Sequence, residues 1–381
     1  MIDLTEILKR SGLIFFLVAG ISAYLISMTS LRDEGFGRSF EMLFALSMLG
    51  IFATQVLTNN IRINSAILPF LYLVAIITPI TFFQFVNEFP GTRMSTLFAY
   101  YLVFFTGFMF GSANNDQLRF SAYGIGLVSI FVGFLMLSNG VEFNIVGRAS
   151  FFSDNPNQLA LYSLAGLVIV SLLFKTKSML LLVSLPLLVY GAVAVSDAFF
   201  AAVILGLLSY FFYKFLFNIH TFIFSSILIL IFVSYFLIYF NFYIEEESLL
   251  ASIIELWREA DQGNLRTMLY KHGLLAALNS PVVGLGAGVF SGIAGPLQQF
   301  ESHNTFIDLM TNGGIILSVL FYYPFIRTII SLYKDNPYKS AVITAFLAFT
   351  LFHFIARHPI VWIAWGCCVA YIHNKGIKCA E

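Results

Sequence analysis

Residues 65–86 read SAILPFLYLVAIITPITFFQFV, an unbroken apolar run without a charged side chain. A helix of about 20 apolar residues is long enough to cross the hydrocarbon core of a bilayer. Similar runs recur along the 381-residue chain, which is 59% hydrophobic and only 10% charged, with a mean hydropathy of +0.88. Soluble domains are about 25% charged, so these residues are too few to cover a soluble body. The sequence predicts an all-α polytopic membrane protein and excludes soluble enzymes, nucleic-acid binders and disordered proteins.

Twelve such runs, separated by polar segments, are predicted transmembrane helices. They fall near residues 11–29, 40–58, 65–86, 94–112, 120–138, 157–174, 178–195, 197–213, 221–243, 303–331, 341–356 and 359–373. A single transmembrane domain over residues 1–381 is therefore expected, interrupted by one large loop, 244–302. Helical spacing of apolar residues inside that loop predicts amphipathic helices on the membrane surface.

The basic residues predict the orientation of these spans. With a cytoplasmic N-terminus, twelve lysines and arginines fall inside and eight outside. Three of those eight lie in the long loop, which the positive-inside rule discounts. Both termini are therefore expected in the cytoplasm and the long loop outside. Seven of the eight outer cations are arginines, which suit bidentate phosphate contacts better than lysine does; the alternative is that arginine is merely tolerated there.

A polar group opens the tenth predicted span. Ser302 is the expected N-cap, and a helix N-terminus offers free backbone N–H groups to an anion. Asn304, Asp308 and Thr311 lie on one helical face at i, i+4 and i+7, so a polar stripe is expected to descend into the membrane. For His303 alone, an interfacial histidine that only hydrogen-bonds is the alternative; the linked Asn304 and Asp308 favour a functional site.

Two further outer features attract attention. Asp-Asn-Pro-Asn at 154–157 follows Arg148, and turn chemistry with a helix cap explains all of it except the arginine. Gly284, Gly286 and Gly288 do not fit a dinucleotide-binding fingerprint. They predict a flexible lid or a turn of close backbone approach, with a plain irregular loop as the alternative.

At these loops the sequence resembles the O-antigen polymerase and O-antigen ligase family of bacterial inner-membrane proteins. The resemblance covers about residues 150–310, and the N-terminal third matches only in hydropathy. Many family members carry a Ser-Arg pair in the hairpin between the seventh and eighth spans, where this chain has Ser196-Asp197. The matching stretches are Gly147-Arg148 with Asn155-Pro156-Asn157, Arg266 with Asn279-Ser280-Pro281-Val282-Val283-Gly284-Leu285-Gly286, and Ser302-His303-Asn304-Thr305-Phe306 with Gly313-Gly314.

The resemblance implies a GT-C-like membrane glycosyltransferase without a cofactor. Its implied donor is an undecaprenyl-pyrophosphate-linked oligosaccharide, and its active site faces the periplasm from the inner membrane. The outer loops contain no cluster of carboxylates typical of a metal site unless Glu245 to Glu247 form one, so transfer without a metal is expected. Attack from the face opposite the pyrophosphate would invert configuration. His303 is the first choice for the base that serves the acceptor hydroxyl, and Asp308 the second. The implied sites are His303, Asp308 and Asn304 for catalysis, Arg148, Arg266 and Arg357 for pyrophosphate, and Asn155, Asn157 and Lys271 for substrate.

Three functions remain open at this point. A polymerase would join lipid-linked repeat units, with the bilayer, a chain-length regulator and a flippase of the same pathway as expected partners. A ligase would use the same donor with lipid A-core as acceptor. A flippase would make no bond; transporters usually show two similar halves, whereas this chain has one lopsided loop and no visible repeat.

Overall fold

The computed structural model describes residues 4–26, 38–61, 63–88, 92–139, 156–194, 196–215, 262–289 and 300–378. Every element in these ranges is helical. The helices are α1 (Leu4–Leu25), α2 (Ser39–Leu57), α3 (Ser65–Val86), α4 (Met94–Gly111), α5 (Asn115–Asn139), α6 (Pro156–Leu173), α7 (Lys177–Val193), α8 (Asp197–Phe215), α9 (Gln262–Asn279), α10 (Thr305–Leu332), α11 (Pro337–Phe349) and α12 (Pro359–Lys378).

Seven of the described helices, α1 to α5, α8 and α10, are long and apolar enough to cross a membrane. The protein is therefore a polytopic helical membrane protein, as its composition predicts. The structure has helices at eleven of the twelve predicted spans. The predicted span at 221–243 and the predicted amphipathic stretch before residue 262 lie outside the described residues.

Several helix boundaries differ from the sequence prediction, and hydrogen bonds explain two of the differences. The span expected at 120–138 begins five residues earlier, because the Asn114 side chain accepts from the backbone N–H groups of Asp116 and Gln117 and caps the helix there. The span expected at 341–356 ends at Phe349. Residues 350–358 leave the helix because Thr305 hydrogen-bonds their backbone instead, through its amide and its hydroxyl.

The centre of the bundle is formed by α6 and α12. Every side chain from 159 to 172 and from 359 to 370 is buried, which is expected of helices that are apolar on all sides. The Trp362 ring lies 4.4 Å from that of Phe104 on α4 and 5.7 Å from that of Phe321 on α10. The beginning of α12 is thereby packed against α4 and against the middle of α10.

Helix α10 is broken at Gly313 and Gly314, whose backbones leave helical geometry. The chain that follows α9 fills this break: the Ile315 amide donates to the Pro281 carbonyl at 2.8 Å, and the Leu285 amide to the Thr311 carbonyl at 2.6 Å. A Cβ on Gly314 would lie 2.1 Å from the Val282 carbonyl oxygen. The turn of close backbone approach is therefore confirmed. We call residues 281–288 together with 311–315 the glycine seam.

Candidate functional site

A cavity of about 120 Å³ opens at one end of the bundle. We call it the end cavity; α6, the turn before α10 and the 349–358 segment line it. Its polar lining residues are Asn157, Gln158, Glu301, His303, His353, Arg357 and His358.

Several helices begin at this end. The cavity takes Asn157 from the first turn of α6, His303 from just before α10 and His358 from just before α12. The Ser196 hydroxyl, just before α8, donates to Asn157 Oδ1 at 2.8 Å. Four helix N-termini therefore converge here. Each carries a positive dipole end, so their convergence favours an anion.

The turn that carries His303 is fixed by its neighbours. Asn304, not Ser302, is the N-cap of α10, because its side-chain oxygen accepts from the Ile307 amide at 3.2 Å. The expected cap moves because His303 adopts a left-handed backbone, with φ of 56°, which separates Ser302 from the helix. The Ser302 amide donates instead to Asp308 Oδ1 at 2.9 Å. The result is a rigid turn with the His303 ring at the cavity wall.

Asp308 and Asn304 serve this turn and do not line the cavity. Asp308 is fully buried, so the predicted polar stripe packs inside the bundle and does not face a solvent-filled groove. Both amide atoms of Asn304 are engaged, Oδ1 by the cap and Nδ2 by the Leu351 carbonyl at 3.0 Å. Both side chains therefore hold the turn and its neighbouring segment, and the catalytic roles that the resemblance implies for them stay predictions.

Arg357 forms an ion pair with Glu301 in the cavity. The Glu301 side chain is 17% exposed and that of Arg357 49%. Burial raises the pKa of Glu301 above its ordinary value, while the positive charges of Arg357 and Arg93 oppose that rise. The cavity thus contains one well-exposed guanidinium whose partner is a largely buried carboxylate.

Three imidazoles line the same cavity. The His303 and His353 rings meet edge to face, with centroids 6.2 Å apart. His358 Nδ1 lies 3.5 Å from the Tyr162 hydroxyl. Burial, followed by the charges of Arg357 and His353, lowers the pKa of His358 to about 3, so this imidazole is neutral near pH 7. Among the described residues, no group of three or more histidine, cysteine or acidic side chains is arranged to hold a metal ion.

No family model matches this chain, and no curated protein sequence matches it either.

The cavity gathers three of the nine predicted site residues, Asn157, His303 and Arg357. Lys271 is exposed on α9 and does not line it. Arg148, Asn155 and the Arg266 side chain lie outside the described residues. Asn304 and Asp308 form hydrogen bonds that hold the turn at His303, and they do not line the cavity.

Sequence reasoning missed Glu301 and His353. Glu301 precedes His303 by two residues in the same outer segment. Its negative charge, as a possible partner for the outer cation Arg357, was a signal that could have identified it as a site residue. His353 lay inside a predicted membrane span, and its exposure to the cavity follows only from the early end of α11. No sequence signal indicated that end.

Proposed function

We propose that this protein is an O-antigen polymerase, an enzyme that joins undecaprenyl-pyrophosphate-linked repeat units of a surface polysaccharide. The observation that carries the proposal is the convergence of Asn157, His303 and Arg357 in one cavity. These residues come from three predicted outer segments spread over 200 positions of sequence, and the resemblance implies all three as site residues.

The cavity suits a lipid diphosphate. Arg357 offers a planar guanidinium to phosphate oxygens, and each charge-assisted hydrogen bond of this kind contributes about 1.5–3 kcal/mol. The surrounding helix N-termini add partial positive charge. Together they would stabilise the negative charge that develops on the departing diphosphate. Arg357 thus takes the place of the family's arginine, for which this chain has Asp197.

His303 is the group proposed to receive the proton of the acceptor hydroxyl. Its ring is part of the cavity wall, and the turn that holds it is anchored through Ser302 and Asp308. Attack on the anomeric carbon from the face opposite the diphosphate inverts configuration. In this proposal the reaction uses no metal, since cations of the protein neutralise the leaving group.

The proposed location is the bacterial inner membrane, with the cavity at the periplasmic face. Positive-inside counting supports this orientation, because every segment that lines the cavity falls on the predicted outer side. Lipid-linked repeat units delivered by a flippase would reach the cavity from the outer leaflet. A chain-length regulator is a further proposed partner.

A reconstituted assay tests the proposal. Purified protein in nanodiscs is given a lipid-diphosphate-linked repeat unit, with lipid A-core present or absent, and products are resolved by mass. A ladder of products without lipid A-core supports the polymerase. Product that requires lipid A-core identifies a ligase. No bond formation under either condition, with the native repeat supplied, contradicts the transferase proposal and favours a flippase.

A further inference from the structure

The arginine proposed to bind diphosphate is already engaged. In the structure its guanidinium holds the carboxylate of Glu301, and both side chains line the end cavity. A diphosphate placed beside Arg357 would bring its negative charges next to that carboxylate. Two like charges sharing one small site disfavour each other, so one of them must move away or be neutralised.

We infer that Glu301 occupies the anion site in the absence of donor and gives up Arg357 to the donor's diphosphate. The inference rests on the proposed function, which supplies the diphosphate. It assigns a role to a residue that the resemblance does not include. Arg357 then has two partners in turn, an internal carboxylate and the lipid diphosphate.

Displacement makes Glu301 available to the transfer step. The acceptor hydroxyl passes its proton to the His303 imidazole while its oxygen bonds to the anomeric carbon. The bond from that carbon to the diphosphate oxygen breaks, and its electron pair leaves with the diphosphate. The displaced carboxyl group shares the cavity with His303, and its carbonyl oxygen accepts a hydrogen bond from the imidazolium that forms, whether or not the carboxyl group is protonated. Donor binding therefore prepares the base.

The exchange also changes proton binding. Once diphosphate replaces it on Arg357, Glu301 is a largely buried carboxylate beside an anion, which favours its protonated form. Diphosphate binding should therefore take up a proton and tighten as the pH falls. The ionisable groups around Glu301 that contribute to this balance are Arg93, Tyr100, His303, Asp308, His353, Arg357 and His358.

Binding of inorganic diphosphate to the full-length protein in nanodiscs tests the inference. Glu301→Gln removes the competing charge and keeps the shape, so we expect about two- to fivefold tighter binding at pH 8. The gain should shrink toward pH 6, where the wild-type carboxylate is more easily protonated. Titration of diphosphate itself is common to both proteins and cancels in their comparison.

Two further variants serve as controls. Glu301→Asp keeps the charge and should bind diphosphate within about twofold of the wild type. Glu88→Gln removes an exposed carboxylate between α3 and α4 that does not line the cavity, and it should change nothing. Thermal unfolding checks that each variant is folded. The inference is wrong if Glu301→Gln binds diphosphate with an affinity equal to or weaker than that of the wild type. It is also wrong if Glu301→Asp shows an equal gain in diphosphate affinity, or if none of the proteins binds diphosphate.

The two proposals fail separately. If the wild type transfers glycan but Glu301→Gln binds diphosphate with unchanged affinity, the inference that diphosphate displaces Glu301 is wrong. The proposal that the protein is a polymerase then still stands. If Glu301→Gln shows the expected gain in diphosphate affinity but the wild type transfers no glycan, the displacement of Glu301 is supported. The proposal that the protein is a transferase is then wrong.

Discussion

The end cavity and the glycine seam flank the same short stretch of α10, residues 305–312, and they are built in opposite ways. In the seam, backbone packs directly against backbone, so its shape requires glycine, which has no side chain. The cavity is lined largely by polar side chains from three segments, among them His303 on its anchored turn, so its chemistry depends on those side chains. Substitution in the seam should therefore affect folding, and substitution in the cavity should affect function.

The largest expected effect is in the seam. Gly314→Ala places a Cβ on a positive-φ backbone (φ 68°, ψ −169°) that is almost restricted to glycine, at about 1–3 kcal/mol, and crowds the Val282 carbonyl, at about 1–3 kcal/mol more. We expect little folded protein by size-exclusion chromatography. Gly12→Ala is the matched control: its added Cβ meets only the Thr54 side chain at 3.2 Å, and folding should be normal. A normally folded Gly314→Ala protein would contradict the proposed build of the seam.

The next effect is in the cavity. His303→Asn should lower the rate of glycan transfer by about 10²–10⁴-fold, the range associated with loss of a general base. Asparagine tolerates the left-handed backbone at this position, so the melting temperature should stay close to that of the wild type. His272→Asn, on α9 and outside the cavity, should transfer normally. Transfer at the wild-type rate in His303→Asn removes His303 from the mechanism.

Lowering the pH should reduce the free energy of unfolding, because His358 in the cavity becomes protonated more readily in the unfolded chain. The pKa of this imidazole is about 3 in the folded protein and 6.5 when unperturbed, so the unfolded chain binds the extra proton first. Its contribution to stability is present above pH 6.5 and is lost as the pH falls toward 3. Between pH 7 and pH 5 we expect a loss of about 1–2 kcal/mol that His358→Gln lacks, measured by denaturant unfolding. Parallel curves for the two proteins would show that His358 has the same pKa in the folded and unfolded states, which contradicts the lowered pKa.

The smallest effect returns to the seam. Tyr72→Phe removes the hydrogen bond from the Tyr72 hydroxyl to the Gly313 carbonyl, 2.8 Å long, and leaves the packing intact. The expected cost is about 0.5–1.5 kcal/mol in unfolding free energy, with transfer activity unchanged. Tyr323→Phe, which alters an exposed ring on α10, is the control and should unfold like the wild type. A large loss of activity in Tyr72→Phe would mean that the two regions are functionally coupled.

The difference between the two regions also explains what sequence could predict. Long apolar runs directly determine helices in a bilayer, so eleven of the predicted spans coincide with helices. His303, Asn157 and Arg357 were identifiable because polar residues at span ends are few. The early end of α11 was not predictable, since it depends on Thr305 from another helix. Glu301 was missed because its partner lies 56 residues away, and local spacing carries no record of such a pair.

The central claim is that the end cavity is where the lipid-linked donor binds. A lipid-diphosphate donor with a photoreactive sugar, bound to the protein in nanodiscs and illuminated, would mark its site covalently. Mass spectrometry should locate the label on peptides that contain residues 156–161, 301–303 or 353–358, and excess inorganic diphosphate should reduce it. Label confined to the opposite end of the bundle, for example near the Asn115–Asn374 contact, would contradict the account.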